Sequence, residues 1–169
     1  MGSKTKKVLL MRHAKSSWNS PGLKDFDRPL NKRGEKDAPR MGEYLKELQL
    51  VPDQIFSSPA ARAKSTVLNV IQELELPEST IKWDENLYFK GSKAYIEAIR
   101  NADDSSEIVM TVGHNPMTED TIDKLSAGSL TIAIKTATIA CFEFETDSWK
   151  NIQFEKKALK WIVSPKDLK

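Results

Sequence analysis

Val8-Leu9-Leu10-Met11-Arg12-His13-Ala14 drives an apolar run straight into a charged pair. A short apolar run that stops abruptly at charge predicts a fully buried strand. In an α/β sheet, ligands collect at the C-terminal ends of the strands, so Arg12 and His13 are expected at the mouth of a site. An arginine beside a histidine in that position can bind an anion and attack it. Two further stretches repeat the pattern. Ile55-Phe56 leads into Ser57-Ser58-Pro59-Ala60-Ala61-Arg62, and Ile108-Val109-Met110-Thr111-Val112 leads into Gly113-His114-Asn115-Pro116. Ser58 before Pro59 and Asn115 before Pro116 are helix-opening pairs, a capping side chain followed by a residue that loses no hydrogen bond there.

Strand and helix signals alternate along the rest of the chain. Residues 15–29 read as a polar loop. Residues 32–49 read as a helix capped by Asn31, with Met41, Leu45 and Leu48 at helical spacing. A second helix follows Ser58-Pro59, carrying Val67, Leu68, Val70, Ile71 and Leu74, and Pro77 ends it. Ile81-Lys82-Trp83 reads as a strand, 94–99 as a short helix, and Asn115-Pro116 opens a helix through about residue 125. Two alternating strands, near 137–145 and 152–162, close the chain and read as antiparallel. Alternating strands and helices predict a mostly parallel sheet covered on both faces. The expected fold is therefore α/β, a three-layer α/β/α sandwich with an antiparallel C-terminal edge and a minimal cap. Right-handed crossovers put the C-terminal ends of the parallel strands on one edge. Arg12, His13, Ser58, Arg62 and His114 all fall there. No repeat, low-complexity segment or linker divides the sequence, so residues 1–169 read as a single domain, with 1–6 a flexible tail.

Composition narrows the function classes. The chain has 169 residues, enough for a real core. Its formal charge of +2, from 26 basic and 24 acidic residues, gives no reason to expect nucleic acid. The one cysteine, Cys141, excludes an internal disulfide and leaves no cysteine set for structural zinc. Its alternating surroundings read as a strand, making it a packed thiol. No apolar stretch approaches the ~20 residues of a membrane span, and no signal-peptide core follows the N-terminal lysines. A soluble cytoplasmic protein is the expectation. A zinc site on His13 and His114 is disfavoured, because the adjacent arginines repel a cation.

The three strand-end motifs resemble the histidine phosphatase superfamily, also called the phosphoglycerate mutase-like or RHG family. Arg12-His13 is similar to its signature dipeptide, Arg62 in Ser-Ser-Pro-x-x-Arg-Ala to its second arginine, and His114 in Gly-His-Asn-Pro to its second histidine. The short length and Asp27-Arg28-Pro29-Leu30 resemble the small phosphohistidine phosphatases of the SixA group. Ala14 stands where the family usually has glycine, and its methyl is expected to narrow the approach of phosphate.

The resemblance implies a catalytic set and a chemistry. His13 would be the nucleophile, accepting the phosphoryl group on nitrogen as a neutral imidazole. An unperturbed pKa of about 6.5 leaves it partly neutral in the cell, so little tuning is expected. His114 would donate hydrogen bonds to the transferring group. Arg12 and Arg62 would bind phosphate oxygens through their planar forks, and Arg28 would add a cation at the rim or pair with Asp25 or Asp27. For the general acid, Glu85 in Trp83-Asp84-Glu85-Asn86-Leu87-Tyr88 resembles the mutase-branch glutamate, and Asp25 is the rival. No metal or cofactor is implied. The expected activity is hydrolysis of phosphohistidine on a signalling protein through phospho-His13, releasing inorganic phosphate. A phosphatase of small phosphate esters and a non-catalytic phosphate-binding module are the alternatives. Nucleic acid and membrane are not expected partners.

Overall fold

A computed structural model describes residues 4–19 and 21–168. The strands β1 (Thr5–Arg12), β2 (Gln54–Ser57), β3 (Ile81–Trp83), β4 (Ile108–Gly113), β5 (Ile139–Glu145) and β6 (Leu159–Val163) build one sheet. Their order is β3-β2-β4-β1-β5-β6. The first four run parallel, while β5 lies antiparallel to β1 and β6 antiparallel to β5. The apolar run in β1 is continuous because both faces of the sheet are covered. Val8 and Leu10 enter one core with Tyr95, Ile99, Ile122 and Phe142, while Leu9 and Met11 enter the other with Met41, Leu45, Val67 and Val70. The helices α1 (Lys32–Glu47) and α2 (Ala61–Glu73) supply the second core. After α3 (Asn86–Phe89), the helices α4 (Ser92–Arg100) and α5 (Met117–Leu125) supply the first. The result is a three-layer α/β/α sandwich.

Local signals explain most boundaries. Asn31 Oδ1 accepts from Gly34 N at 2.9 Å and caps α1. That helix stops at Glu47 rather than 49, because Gln49 turns to a left-handed φ of 58°, and Leu48 is left exposed. α2 starts at Ala61, later than the Ser58-Pro59 pair suggests, because Ser58 Oγ accepts from Ala60 N at 3.2 Å instead of capping a helix. β5 starts at Ile139, since Ala137 has a φ of 61° that breaks the extended run. The stretch before β6 is not strand but two 3-10 turns, Trp149–Asn151 and Lys156–Ala158.

The expected tail over 1–6 is corrected at its inner end. Residues 1–3 lie outside the described residues, but Thr5 and Lys6 belong to β1. Lys6 is buried because its Nζ donates to the carbonyls of Asp104 at 2.7 Å and Ser106 at 2.9 Å. Cys141 is buried in β5, and burial pushes its thiol up to about 11. Among the described residues, no helix is long and apolar enough to cross a membrane.

Candidate active site

Sheet register brings the motifs together. Arg12 pairs with Gly113 and Ser57 with Val112, so the next residue on each of three neighbouring strands opens onto one edge. His13 N donates to the Gly113 carbonyl at 2.9 Å and Ser58 N to the Val112 carbonyl at 3.0 Å. The imidazoles of His13 and His114 consequently lie 5.2 Å apart, centroid to centroid. A side chain at 113 would collide with the ring and hydroxyl of Tyr95, so the strand end needs glycine. That hydroxyl accepts from His114 N at 2.9 Å and donates to the Leu87 carbonyl at 2.6 Å, fixing where the second histidine leaves the sheet.

His13 is 7% exposed. Its Nδ1–H donates to the Ala14 carbonyl at 2.7 Å, which leaves the lone pair on Nε2. Arg62 Nε points at that atom from 3.3 Å. Burial, opposed by the Ala14 hydrogen bond and reinforced by the charges of Arg62, Arg12 and Arg28, lowers the His13 pKa to about 4. The imidazole is therefore neutral at neutral pH, tuned well beyond what its ordinary value requires. Ala14 itself is fully buried in the core with Met11 and Leu30, so its methyl is taken up by packing. Its N–H donates to Thr66 Oγ1 at 3.0 Å, and Thr66 Oγ1 donates to the Arg62 carbonyl at 2.7 Å. The loop after β1 is thereby stitched to the helix that carries the second arginine.

His114 Nε2 lies 2.8 Å from Ser58 Oγ. Ser58 Oγ also accepts from Ala60 N, and with its hydrogen and a second lone pair it can either donate to Nε2 or accept from it, according to the tautomer of the ring. Nδ1 of the same ring is buried and has no hydrogen-bond partner among the described residues. Burial and the neighbouring His13 and Arg62 lower its pKa to about 3. A neutral imidazole carries one N–H and can donate it to an oxygen, in keeping with the role implied for His114.

The carboxylate in this cluster is Asp25, from the 3-10 turn Asp25–Asp27. Its Oδ2 accepts from Arg62 Nη2 at 3.0 Å and from the Tyr88 hydroxyl at 2.8 Å, and its Oδ1 from Arg28 Nε at 3.1 Å. Its carbonyl accepts from Arg62 Nη1 at 2.7 Å. Partial burial opposes ionisation, but the hydrogen bonds from Tyr88, Arg62 and Arg28 outweigh it and hold the carboxyl at about 2. Of the two readings for Arg28, pairing with Asp25 is the one present. Glu85 is exposed and forms no side-chain hydrogen bond or ion pair among the described residues. Arg12 Nη1 donates to the Ile134 carbonyl at 2.9 Å, and its buried Nε has no partner.

The family model described as "Histidine phosphatase superfamily (branch 1)" matches residues 8–87. The solved SixA of Agrobacterium tumefaciens is 30% identical, covers 82% of this chain and 92% of its own, and superposes with a TM-score of 0.75. The chain belongs to the histidine phosphatase superfamily. It is a phosphatase. A second structure, the protein histidine phosphatase SixA complexed with tungstate, shares the fold at 24% identity, covering 96% of this chain and 99% of its own with a TM-score of 0.78. An uncharacterized chloroplastic protein of Arabidopsis thaliana is 31% identical over 154 residues, 86% of this chain and 70% of that protein.

Within this histidine phosphatase, the structure brings Arg12, His13, Arg62, His114, Asp25 and Arg28 together and leaves Glu85 at the surface. Sequence reasoning did not single out Tyr88 or Tyr95, nor assign Ser58 its partner. Ser58 sat in a recognised motif, so its hydroxyl beside a strand-end histidine was a usable signal. The two tyrosines carried none, because their roles depend on partners 63 and 19 residues away.

Proposed function

We propose that this phosphatase, working as one domain over 1–169, hydrolyses phosphohistidine on a protein through a phosphorylated His13. What carries the reading is the rim of the site. Trp18 is 74% exposed, and Phe26 is also exposed. Trp18 stacks 3.5 Å from the guanidinium carbon of Arg28, and Phe26 meets Tyr88 edge-on with centroids 5.0 Å apart. Exposed aromatics tied directly to site side chains favour a protein surface as the incoming partner. Between β3 and β4 the chain holds only α3 and α4, four and nine residues, so no long insertion covers the mouth. The likeness to SixA proteins supports the same substrate class.

In the first step, the His13 Nε2 lone pair forms a bond to phosphorus while the phosphorus–nitrogen bond of the substrate breaks. The departing imidazole takes a proton from water. Arg62 and Arg12 balance charge on the phosphoryl oxygens, and the N–H of the neutral His114 imidazole donates to one of them. In the second step, a water oxygen bonds to phosphorus as the bond to Nε2 breaks, the pair returns to His13, and a water proton passes to solvent. Asp25, ionised by its three donors, acts by holding Arg62 and Arg28 in place. A protonated carboxyl is not needed for a leaving group as easily protonated as imidazole.

The deciding experiment compares rates on a phosphohistidine protein, p-nitrophenyl phosphate and a panel of sugar phosphates. Phosphohistidine should have the highest kcat/KM. A sugar phosphate exceeding it would replace this reading with that of a small-ester phosphatase.

A further inference from the structure

Beside the catalytic cluster lies a second concave site. Arg12, Lys15, Arg33, Lys135, Thr136 and Lys166 line a groove of about 300 Å³. Five of the six are cations and none is a carboxylate, in a chain whose formal net charge is only +2. Four separate segments converge to build it. Lys15 follows β1, and its carbonyl accepts from Asn31 N at 2.9 Å, which ties it to the start of α1 where Arg33 stands. The loop with Lys135 and Thr136 is tied to the catalytic strand, because Ala137 N donates to the His13 carbonyl at 3.0 Å. The 3-10 turn Pro165–Asp167, which lies against α1, brings Lys166.

The nearby carboxylates have partners of their own but keep their charge: Glu119, which acts on Arg12, accepts from Ile134 N at 2.7 Å and Asn115 Nδ2 at 3.0 Å, and Asp167 acts on Lys135. Asp37 pairs with Arg33 at 3.4 Å across one turn of α1. Asp167 accepts from Ser164 N at 2.8 Å and from Ser164 Oγ at 3.1 Å. Lys15, Lys135 and Lys166 have no carboxylate within ion-pair distance among the described residues. Like charges gathered in a concave surface repel one another and focus a positive potential, an arrangement that favours an anion. Arg12 links the two sites: it adjoins His13 in sequence and also lines the groove.

We propose that this groove binds a second oxyanion of the substrate, one covalently attached to the molecule whose phosphoryl group reaches His13. The chemistry fits a carboxylate beside a phosphohistidine on a protein, or a second phosphate on a small molecule. The inference rests on His13 as the site of transfer and not on the leaving group.

The test is a charge reversal at two groove residues outside the catalytic cluster, Lys135→Glu with Lys166→Glu, both residues being exposed. One arm uses phosphohistidine peptides with acidic or with neutral neighbours. The other uses a sugar monophosphate and the bisphosphate of the same sugar. At low salt, kcat/KM for the member of a pair that carries a second anionic group should fall about tenfold, because the groove that would hold that group now repels it. The member without a second anionic group and p-nitrophenyl phosphate should change by less than about twofold, having no second anion to place. Lys135→Gln with Lys166→Gln should give a smaller loss in the same direction. A loss in the peptide arm identifies an acidic protein segment, and a loss in the sugar arm identifies a second phosphate. Failure of the phosphohistidine reading is separately visible, as wild-type enzyme that turns over no peptide while the sugar arm still responds. Equal kcat/KM for variant and wild type in both arms, or an equal loss on p-nitrophenyl phosphate, overturns the groove.

Discussion

Arg62 reaches His13 and Asp25 with the same guanidinium: Nε stands 3.3 Å from His13 Nε2, while Nη1 and Nη2 hold the Asp25 carbonyl and carboxylate at 2.7 and 3.0 Å. One planar fork therefore touches Nε2 of His13 and is itself anchored by an anion. The positive charge disfavours a proton on Nε2, and under the proposed transfer to His13 it would meet the phosphoryl oxygens there. Lysine, a point charge on a flexible stem, cannot hold three such positions at once.

His13→Ala should remove turnover, by at least about a thousandfold, if Nε2 carries the phosphoryl group. The fold should survive, because His13 stands beyond the end of β1 and the cores on both faces are built without it. Mass spectrometry of rapidly quenched wild-type enzyme should find phosphate on His13 and none on His114. A folded His13→Ala protein with unchanged kinetics would sink the covalent mechanism.

Arg62→Lys should raise KM and lower kcat together, with kcat/KM down roughly a hundredfold, since charge stays but the fork is lost. Arg62→Ala should be worse. Inorganic phosphate, vanadate and tungstate should compete with substrate in the wild type and more weakly in both variants. Anions that fail to inhibit the wild type would show that the phosphate pocket is elsewhere.

The acid side of the pH profile follows from the two buried histidines. kcat/KM should hold its value well below pH 6.5 and fall only as the His13–His114 pair gains a proton, with an apparent pKa near 4. Stability moves the same way. Unfolded histidines bind protons near 6.5, whereas the folded pair does not until about 4 and about 3, so the unfolded state takes up more protons between those values. Folding free energy therefore drops as pH falls through that window, by ~1–3 kcal/mol for His13 alone. Urea unfolding at about pH 7 and about pH 4.5 measures the drop, and His13→Gln with His114→Gln should flatten it. An activity limb near 6.5 would show that burial has not tuned the nucleophile.

Much of this site was legible because it hangs on strand ends. An apolar run stopping at Arg12-His13 declares a buried strand and its exit, and the Gly113-His114 run does the same one strand away. Arg62 was legible through Ser58-Pro59, even though Ser58 serves Ala60 N and His114 rather than a helix cap. Tyr88 was not, since its hydroxyl matters only because the 15–29 loop folds back to set Asp25 2.8 Å away. Lys6 misled for a related reason: a lysine near a terminus reads as solvated, and only the carbonyls of Asp104 and Ser106 make its burial tolerable. Alternation over 152–158 suggested strand, but the backbone winds into a 3-10 turn there, and pairing with β5 begins only at Leu159.

Leaving-group chemistry assigns the two carboxylates. A residue that protonates the departing atom matters most when that atom leaves as a strong base and least when it leaves easily. Asp25 is held at about 2 by Tyr88, Arg62 and Arg28, so it carries no proton to give at neutral pH. Asp25→Asn should therefore cut kcat/KM for an alkyl phosphate, p-nitrophenyl phosphate and phosphohistidine by similar factors, about tenfold, by loosening Arg62. Tyr88→Phe should act in the same direction but only a few-fold, since one of three donors is lost. Glu85 stands exposed with no partner among the described residues, so Glu85→Gln separates two cases. If Glu85 swings in as the acid, the alkyl phosphate should slow far more than the other two. If the enzyme works without a dedicated acid, all three rates should stay within about twofold of wild type, as suits a substrate whose leaving group is imidazole. A loss on Asp25→Asn that is confined to the alkyl phosphate would overturn the positioning role and make Asp25 the acid.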